Sequence, residues 1–194
     1  MKIALFSAVS EEAGPLANLT NFTGIGRENA TRSIIEFIER HKDEQFTILN
    51  IGTVGSHDKP VGTILSIREI ISAGEPFNEK RMLPSYFNLH IDKNIETATL
   101  YSSDSFVSPE VFTEKYLETV KQKADCFDME SSAVFTIAQT YGIPFISYKI
   151  VSDNLDVDIE EWKMRVHTLS LALAAHVQLI LDELKQTEEI EFLQ

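Results

Sequence analysis

Phe127-Asp128-Met129-Glu130-Ser131-Ser132-Ala133, followed by Ile150-Val151-Ser152-Asp153, decides how this chain is read. Glu130 and Asp153 stand at the ends of two hydrophobic runs, 23 residues apart. Cys126-Phe127 reads as a strand that delivers Glu130 at its exit. Ala133, Val134, Ile137, Ala138 and Tyr141 recur at helical spacing and return the chain over the sheet. Residues 144–151 form a near-continuous apolar run, as a strand covered on both faces requires, and it ends in Ser152-Asp153. The pattern is that of a βαβ unit, whose strand ends on one side form the rim where ligands bind. Both carboxylates are therefore expected in one crevice. Each also has a purely structural use. Glu130 can cap the following helix, where a carboxylate gains roughly 0.3–1 kcal/mol, and Asp153 can open a turn with Asn154.

The same alternation extends in both directions. Strands are expected at 2–9, 46–51, 61–71, 97–103, 125–127 and 145–151, and helices at 28–41, 109–122, 130–141 and 159–185. The last helix carries an apolar face at Ile159, Trp162, Val166, Leu169, Leu173, Val177, Ile180 and Leu184, which reads as core packing without catalytic meaning. Residues 74–94 read as an irregular excursion rich in Gly, Pro and Asn. Alternating buried strands and amphipathic helices imply one α/β domain over 1–187, a central mixed, mostly parallel twisted sheet flanked by helices. An acidic tail, 188–194, is frayed or packed at an edge.

Composition narrows the partners. With 194 residues and 43% hydrophobic content the chain can bury a core of its own. A net charge of −13 and a pI near 4.8 argue against nucleic acid and against an anionic membrane surface. No apolar run approaches the ~20 residues of a membrane span. A single cysteine, Cys126, cannot pair internally, which suits a reducing cytoplasm. Flanked by Asp125 and Asp128, it reads as a small buried strand residue and not as an activated thiolate. The five histidines show no paired metal spacing, so neither a metal nor another cofactor is expected. His57-Asp58 reads as solvated loop. Gly24-Ile25-Gly26 lacks a third glycine and a Gly-Lys-Ser/Thr element, and reads as a turn into a helix. Ser10, Ser131 and Ser132 lack a nucleophile-elbow context.

Asp128-Met129-Glu130-Ser131-Ser132-Ala133, then Tyr141-Gly142-Ile143-Pro144-Phe145, then Val151-Ser152-Asp153 resembles the signature of the purine nucleoside phosphorylase/nucleosidase superfamily. Within it the likeness is closest to the 5′-methylthioadenosine/S-adenosylhomocysteine nucleosidases. Four further segments are similar to that family. They are the opening strand followed by Ser10-Glu11-Glu12, the small-residue loop Asn50-Ile51-Gly52-Thr53-Val54-Gly55-Ser56 under the ribose, the strand from Val61, and Tyr101-Ser102-Ser103-Asp104-Ser105-Phe106-Val107, whose aromatic residue stacks on the base. The chain also departs from the pattern. Only 14 residues separate Glu12 from Gly26, where the family inserts a hairpin, and the connection from Gly62 to Ser103 is short. Gly14-Pro15 would disturb the helix expected after Glu12. Lys149 stands where the nucleosidases carry an arginine. The resemblance thus implies a trimmed nucleoside phosphorylase-like fold.

Cleavage of an N-glycosidic bond passes through a ribosyl cation and an electron-rich leaving base, which explains a need for several carboxylates. The resemblance implies Asp153 as the acid that protonates the purine at N7, oriented by Ser152, with burial behind Phe106 and Phe127 raising its pKa. It implies Glu12 as the base that activates water, with Glu11 as a substitute should Gly14-Pro15 displace the loop. Glu130 would accept hydrogen bonds from ribose hydroxyls and face the developing cation. Phe106 would stack on the purine, the backbone of Val107 would read its edge, Met129 would pack on the ribose, and Thr53 and Gly55 would lie beneath it. Phosphorylases of this superfamily place arginines in the first loop and before the small-residue segment. Here residues 7–12 lack arginine and Asn50 stands at the second place, so phosphate would meet Glu11 and Glu12 at a cost of several kcal/mol. The expectation is a purine nucleosidase acting on an adenosine-type nucleoside. A phosphorylase and a non-catalytic nucleoside-binding member remain the alternatives. Homodimerisation is implied as well, with Phe77, Met82, Leu83, Tyr86 and Phe87 crowding the excursion.

Overall fold

The computed structural model describes residues 1–74, 81–83, 95–155 and 159–194. The elements run β1 (Lys2–Ser7), α1 (Ser10–Ala13), a 3-10 helix (Gly14–Leu19), β2 (Thr20–Phe22), α2 (Arg27–Arg40), β3 (Thr47–Ser56), β4 (Ile64–Ser72), β5 (Arg81–Met82), β6 (Glu96–Ser102), α3 (Glu114–Lys121), β7 (Cys126–Asp128), α4 (Ser131–Thr140), β8 (Phe145–Asp153), α5 (Ile159–Lys185) and β9 (Glu191–Phe192). All nine residues of β8 are buried, as its unbroken apolar run requires. The sheet is mixed and largely parallel, with helices on both faces, which is the expected single-domain α/β class.

Strand order departs from a simple open sheet. β1 pairs with β3 on one side and with β2 and β9 on the other. From β3 the pairing passes to β8, β4, β6 and β7, and β7 returns to the end of β3, so five strands close a ring. The expected parallel βαβ unit at 126–153 is not formed. β8 is parallel to β3 while β7 is antiparallel to it, so β7 and β8 run in opposite senses on either side of β3. Between Val54 and Gly55 the β3–β8 register shifts by one residue, with Ser152 of β8 as the extra one. Gly55 then lies in register with Phe127 of β7 and with Asp153 of β8. Ring closure around Gly55, and not a shared strand edge, brings the two carboxylate-bearing ends together.

Several boundaries moved for local reasons. The small-residue segment 52–56 is strand, because β8 and β7 pair with it from both sides. β4 starts later than expected, since the Thr63 amide closes a turn on Pro60 O and the Gly62 amide is taken by Val151 O. The helix expected from 109 begins only at Glu114, where the Thr113 hydroxyl accepts from the Tyr116 amide. As expected, Gly14-Pro15 interrupts the first helix: α1 is one turn long and Gly14 adopts a φ of +51°.

Two cores flank the sheet. On one face α2 and α4 pack Ile34, Phe37, Val134 and Phe135 against Phe6, Ile48 and Val151. On the other, α5 lays Leu173, Val177, Ile180 and Leu184 over Ile3, Leu49 and Tyr148, each such side chain stabilising by roughly 1.5–3 kcal/mol. By length and composition Glu160–Lys185 would pass for a membrane span, which the sequence reading did not anticipate. Its apolar stripe is packed on the sheet instead. The last residues do not fray: β9 adds to the edge of β1 and Leu193 is buried. Of the excursion implied to form a subunit contact, Phe77, Tyr86 and Phe87 lie outside the described residues, while Leu83 is buried and Met82 is 61% exposed.

Candidate active site

One cleft opens beside Gly55, lined by Ala8, Val9, Glu12, Ile25, Thr53, Val54, Gly55, Phe106, Val107, Phe127, Asp128, Met129, Glu130, Ser152, Asp153, Leu155 and Trp162. The structure gathers there Glu12, Thr53, Gly55, Phe106, Val107, Phe127, Met129, Glu130, Ser152 and Asp153, all of them implied by the resemblance, but not Glu11.

Glu12 reaches the cleft from the single turn of α1 and is buried, while Glu11 stays exposed with Ser10 as its hydrogen-bond donor. The Gly14-Pro15 break therefore leaves Glu12 in place. Its Oε1 accepts from the Thr53 amide at 2.9 Å and the Thr53 hydroxyl at 2.5 Å, and its Oε2 from the Ser7 hydroxyl at 3.2 Å. The approach needs Gly52, since a Cβ there would lie 3.0 Å from Glu12 Oε2.

Asp153 ends β8 fully buried. Its Oδ1 accepts from the Leu155 amide at 3.0 Å, the turn geometry expected of an aspartate, with Leu155 at a φ of +67°. The Ser152 hydroxyl lies 2.7 Å from Oδ2. Gly55 packs directly behind: a Cβ there would lie 2.9 Å from Asp153 Oδ1 and 2.6 Å from Leu155 Cδ2.

Glu130 sits between β7 and α4 but does not cap the helix. Asp128 takes that task, accepting from the Ser131 amide at 3.3 Å and from the Ser102 hydroxyl at 2.6 Å. Glu130 is thereby released toward the cleft, where its Oε1 accepts from the Gly26 amide at 2.7 Å. Burial pushes its carboxyl up to about 8, and the neighbouring Asp128 and Glu12 carboxylates add to the effect. The Gly26 amide and Lys149 pull the other way. Lys149 itself is buried against Asp128, Nζ to Oδ2 3.2 Å, so its charge is matched inside the fold. Cys126 is buried and the same desolvation pushes its thiol up, in keeping with a structural strand residue.

The rest of the lining is apolar, with Phe127, Val107 and Leu155 in one buried cluster under the cleft. The result is a shelf for a flat apolar ring beside four carboxyl groups, those of Glu12, Asp128, Glu130 and Asp153, with no lysine or arginine among the described lining residues. Two contributors escaped the sequence reading. Asp128 had no signal beyond its place in the motif. Helical spacing places Trp162 in the core, yet it is only partly buried and its indole Nε1 donates to the Thr53 hydroxyl at 3.0 Å. Its being the sole tryptophan, at the first turn of a helix following Asp153, was the available clue.

Residues 19–184 match the family described as the phosphorylase superfamily. The chain is 25% identical over 200 residues to a 5′-methylthioadenosine/S-adenosylhomocysteine nucleosidase of Shewanella piezotolerans, covering 86% of this chain and 85% of that one. Its counterpart from Shewanella halifaxensis is 24% identical over the same extent. Among solved structures, Helicobacter pylori futalosine hydrolase superposes with a TM-score of 0.79 at 17% identity, over 94% of this chain and 98% of that one. Arabidopsis thaliana 5′-methylthioadenosine nucleosidase superposes with a TM-score of 0.77 at 18% identity, over 97% of each chain. At these identities the superpositions establish the fold.

Proposed function

This chain belongs to the phosphorylase superfamily, and on that premise we propose that it is a nucleosidase hydrolysing the N-glycosidic bond of an adenosine-type nucleoside, such as 5′-methylthioadenosine or S-adenosylhomocysteine, to free base and ribose sugar. The nucleosidase names of the relatives support the hydrolytic class. The observation that carries the reading is the convergence of Glu12, Glu130 and Asp153 on one cleft beside an aromatic shelf.

In this reading the purine lies against Phe106 and Phe127, and Met129 packs on the ribose. As the glycosidic bond lengthens, electrons move onto the base and positive charge grows on the ribosyl carbon. Asp153, held by Leu155 and Ser152, protonates N7 of the leaving base. Glu12 takes a proton from the water that attacks the ribosyl carbon, the three donors around it fixing its oxygens as acceptors. Glu130 hydrogen-bonds the ribose hydroxyls. Its raised pKa fits a site matched to the transition state: a cation growing nearby favours the ionised carboxylate and so strengthens the interaction as the bond breaks. Water is favoured over phosphate as the nucleophile, because Lys149 is already paired with Asp128 and the acids would repel a phosphate anion.

The proposal extends to a cytoplasmic homodimer. Ile25, 50% exposed where it lines the cleft, and Phe22, 41% exposed in the same segment, offer apolar surface that a second copy would cover. Sedimentation at micromolar concentration should show a dimer, and a monomer removes this part of the proposal. The test of the function itself is Asp153→Asn. Turnover of 5′-methylthioadenosine should fall by roughly 10²–10⁴-fold with nucleoside binding kept, since a proton donor acts mainly in the transition state. Cleavage at the wild-type rate would overturn the assignment.

A further inference from the structure

Trp162 occupies the first turn of α5 and lines the cleft. Other members of its apolar stripe, Val166, Leu173 and Val177, are buried, whereas Trp162 is only partly buried. Its one polar atom is directed at Thr53 of β3, 109 residues away in sequence. Packing alone does not require that alignment.

The chemistry of the three groups sets the direction of the contact. An indole N–H donates and has no acceptor capacity, while a threonine hydroxyl has one proton and two lone pairs. With Trp162 Nε1 3.0 Å from Thr53 Oγ1, one lone pair of the hydroxyl is taken. The hydroxyl's own proton is left for Glu12 Oε1, 2.5 Å away. The Thr53 amide reaches the same oxygen at 2.9 Å, and the Ser7 hydroxyl holds Oε2. A donor chain therefore runs from indole to hydroxyl to carboxylate, and it ends on the group assigned to activating water.

We propose that Trp162 is a positioning residue for Glu12, acting through Thr53: the indole N–H fixes the orientation of the Thr53 hydroxyl, which in turn fixes the Glu12 carboxylate as a hydrogen-bond acceptor facing the cleft. Without the indole, the hydroxyl is free to rotate toward water and to stop donating to Glu12. The proposal deepens the nucleosidase reading and rests on Glu12 being the base of that reaction.

The chain has a single tryptophan, so a proton–nitrogen correlation spectrum of the intact protein contains one indole resonance. Thr53→Val should move that resonance toward the position of a solvent-exposed indole, and Thr53→Ser, which keeps the hydroxyl, should leave it in place. In turnover of 5′-methylthioadenosine, Trp162→Phe keeps the ring and removes the donor. It should lower kcat about tenfold, the effect of one hydrogen bond lost from the transition state, with KM within about twofold. Added to Thr53→Val, Trp162→Phe should cost nothing further, because the chain is already cut. An indole resonance unmoved by Thr53→Val overturns the proposal. So does a Trp162→Phe variant that keeps its full kcat and changes only KM, which would make the ring a wall of the cleft and no more. If the wild type cleaves no purine nucleoside, the nucleosidase reading fails and this role with it. If it cleaves one and Trp162→Phe keeps the full kcat, only this role fails.

Discussion

Gly55→Ala is expected to disable the cleft with one methyl group. Gly55 lies where β3 meets both β7 and β8, and its φ is outside the left-handed region, so alanine faces no backbone penalty. The effect is therefore purely steric. The new Cβ would stand 2.6 Å from Leu155 Cδ2 and 2.9 Å from Asp153 Oδ1. Carbon atoms pack best at about 3.5–4.0 Å, so the leucine contact is short by about 1 Å. Leu155 is 4% exposed and its amide holds Asp153 Oδ1 at 3.0 Å, so moving the leucine drags on the aspartate. Overpacking of this kind costs about 1–3 kcal/mol, or roughly 3–10 °C in Tm for a domain of this size. The catalytic loss should be larger, since a displacement of about 1 Å at a reacting group costs on the order of 10²-fold in rate. The assay is adenine release from 5′-methylthioadenosine beside thermal unfolding of the same preparation. Below the lowered Tm, kcat should still be down about a hundredfold. Combined with Asp153→Asn the losses should fail to add, because both act on one carboxyl. A Gly55→Ala protein working at the wild-type rate would refute the placement of Asp153 at the reaction centre.

Other consequences follow from the same geometry. The Glu130 carboxyl ionises near 4.5 in the unfolded chain and near 8 in the folded one, so stability present below the first value is lost as pH rises through the second. Glu130→Gln should therefore match the wild type in Tm near pH 4 and exceed it near pH 9, and parallel Tm profiles would contradict the shift. Glu12→Gln should abolish hydrolysis while still binding nucleoside, measured by calorimetry, whereas Glu11→Gln, at an exposed position, should stay within about twofold of wild-type turnover. Lys149→Met strands the buried Asp128 carboxylate and should cost roughly 3–5 kcal/mol in urea unfolding, with part of the loss recovered by adding Asp128→Asn.

The sequence made the α/β class legible because β8 is apolar throughout and α2, α4 and α5 keep helical spacing. The residues that gather at the cleft were legible because short motifs around Glu12, Thr53, Phe106, Glu130 and Asp153 survive together. The relation of β7 to β8 was hidden. A strand, a helix and a strand read locally as a parallel unit, and only the long-range pairing of β7 with β6 and with the end of β3 sets it against β8. The segment 52–56 looked like a loop since small residues carry no strand periodicity; its pairing on both sides makes it strand. Asp128 and Glu130 were equally placed to cap α4, and the Ser102 hydroxyl and Lys149 draw Asp128 to that task from distant strands. Trp162 was misread because a hydrophobic period records where a ring lies and says nothing of where its N–H points.

The proposed use of water by this cleft to break a purine nucleoside is tested most directly with the wild-type protein, in excess over 5′-methylthioadenosine and in phosphate-free buffer, with free adenine followed to completion. One adenine per nucleoside is expected, with a free sugar as the second product and a rate that added phosphate does not raise. Adenine that appears only when phosphate is present, or none under either condition, would contradict it.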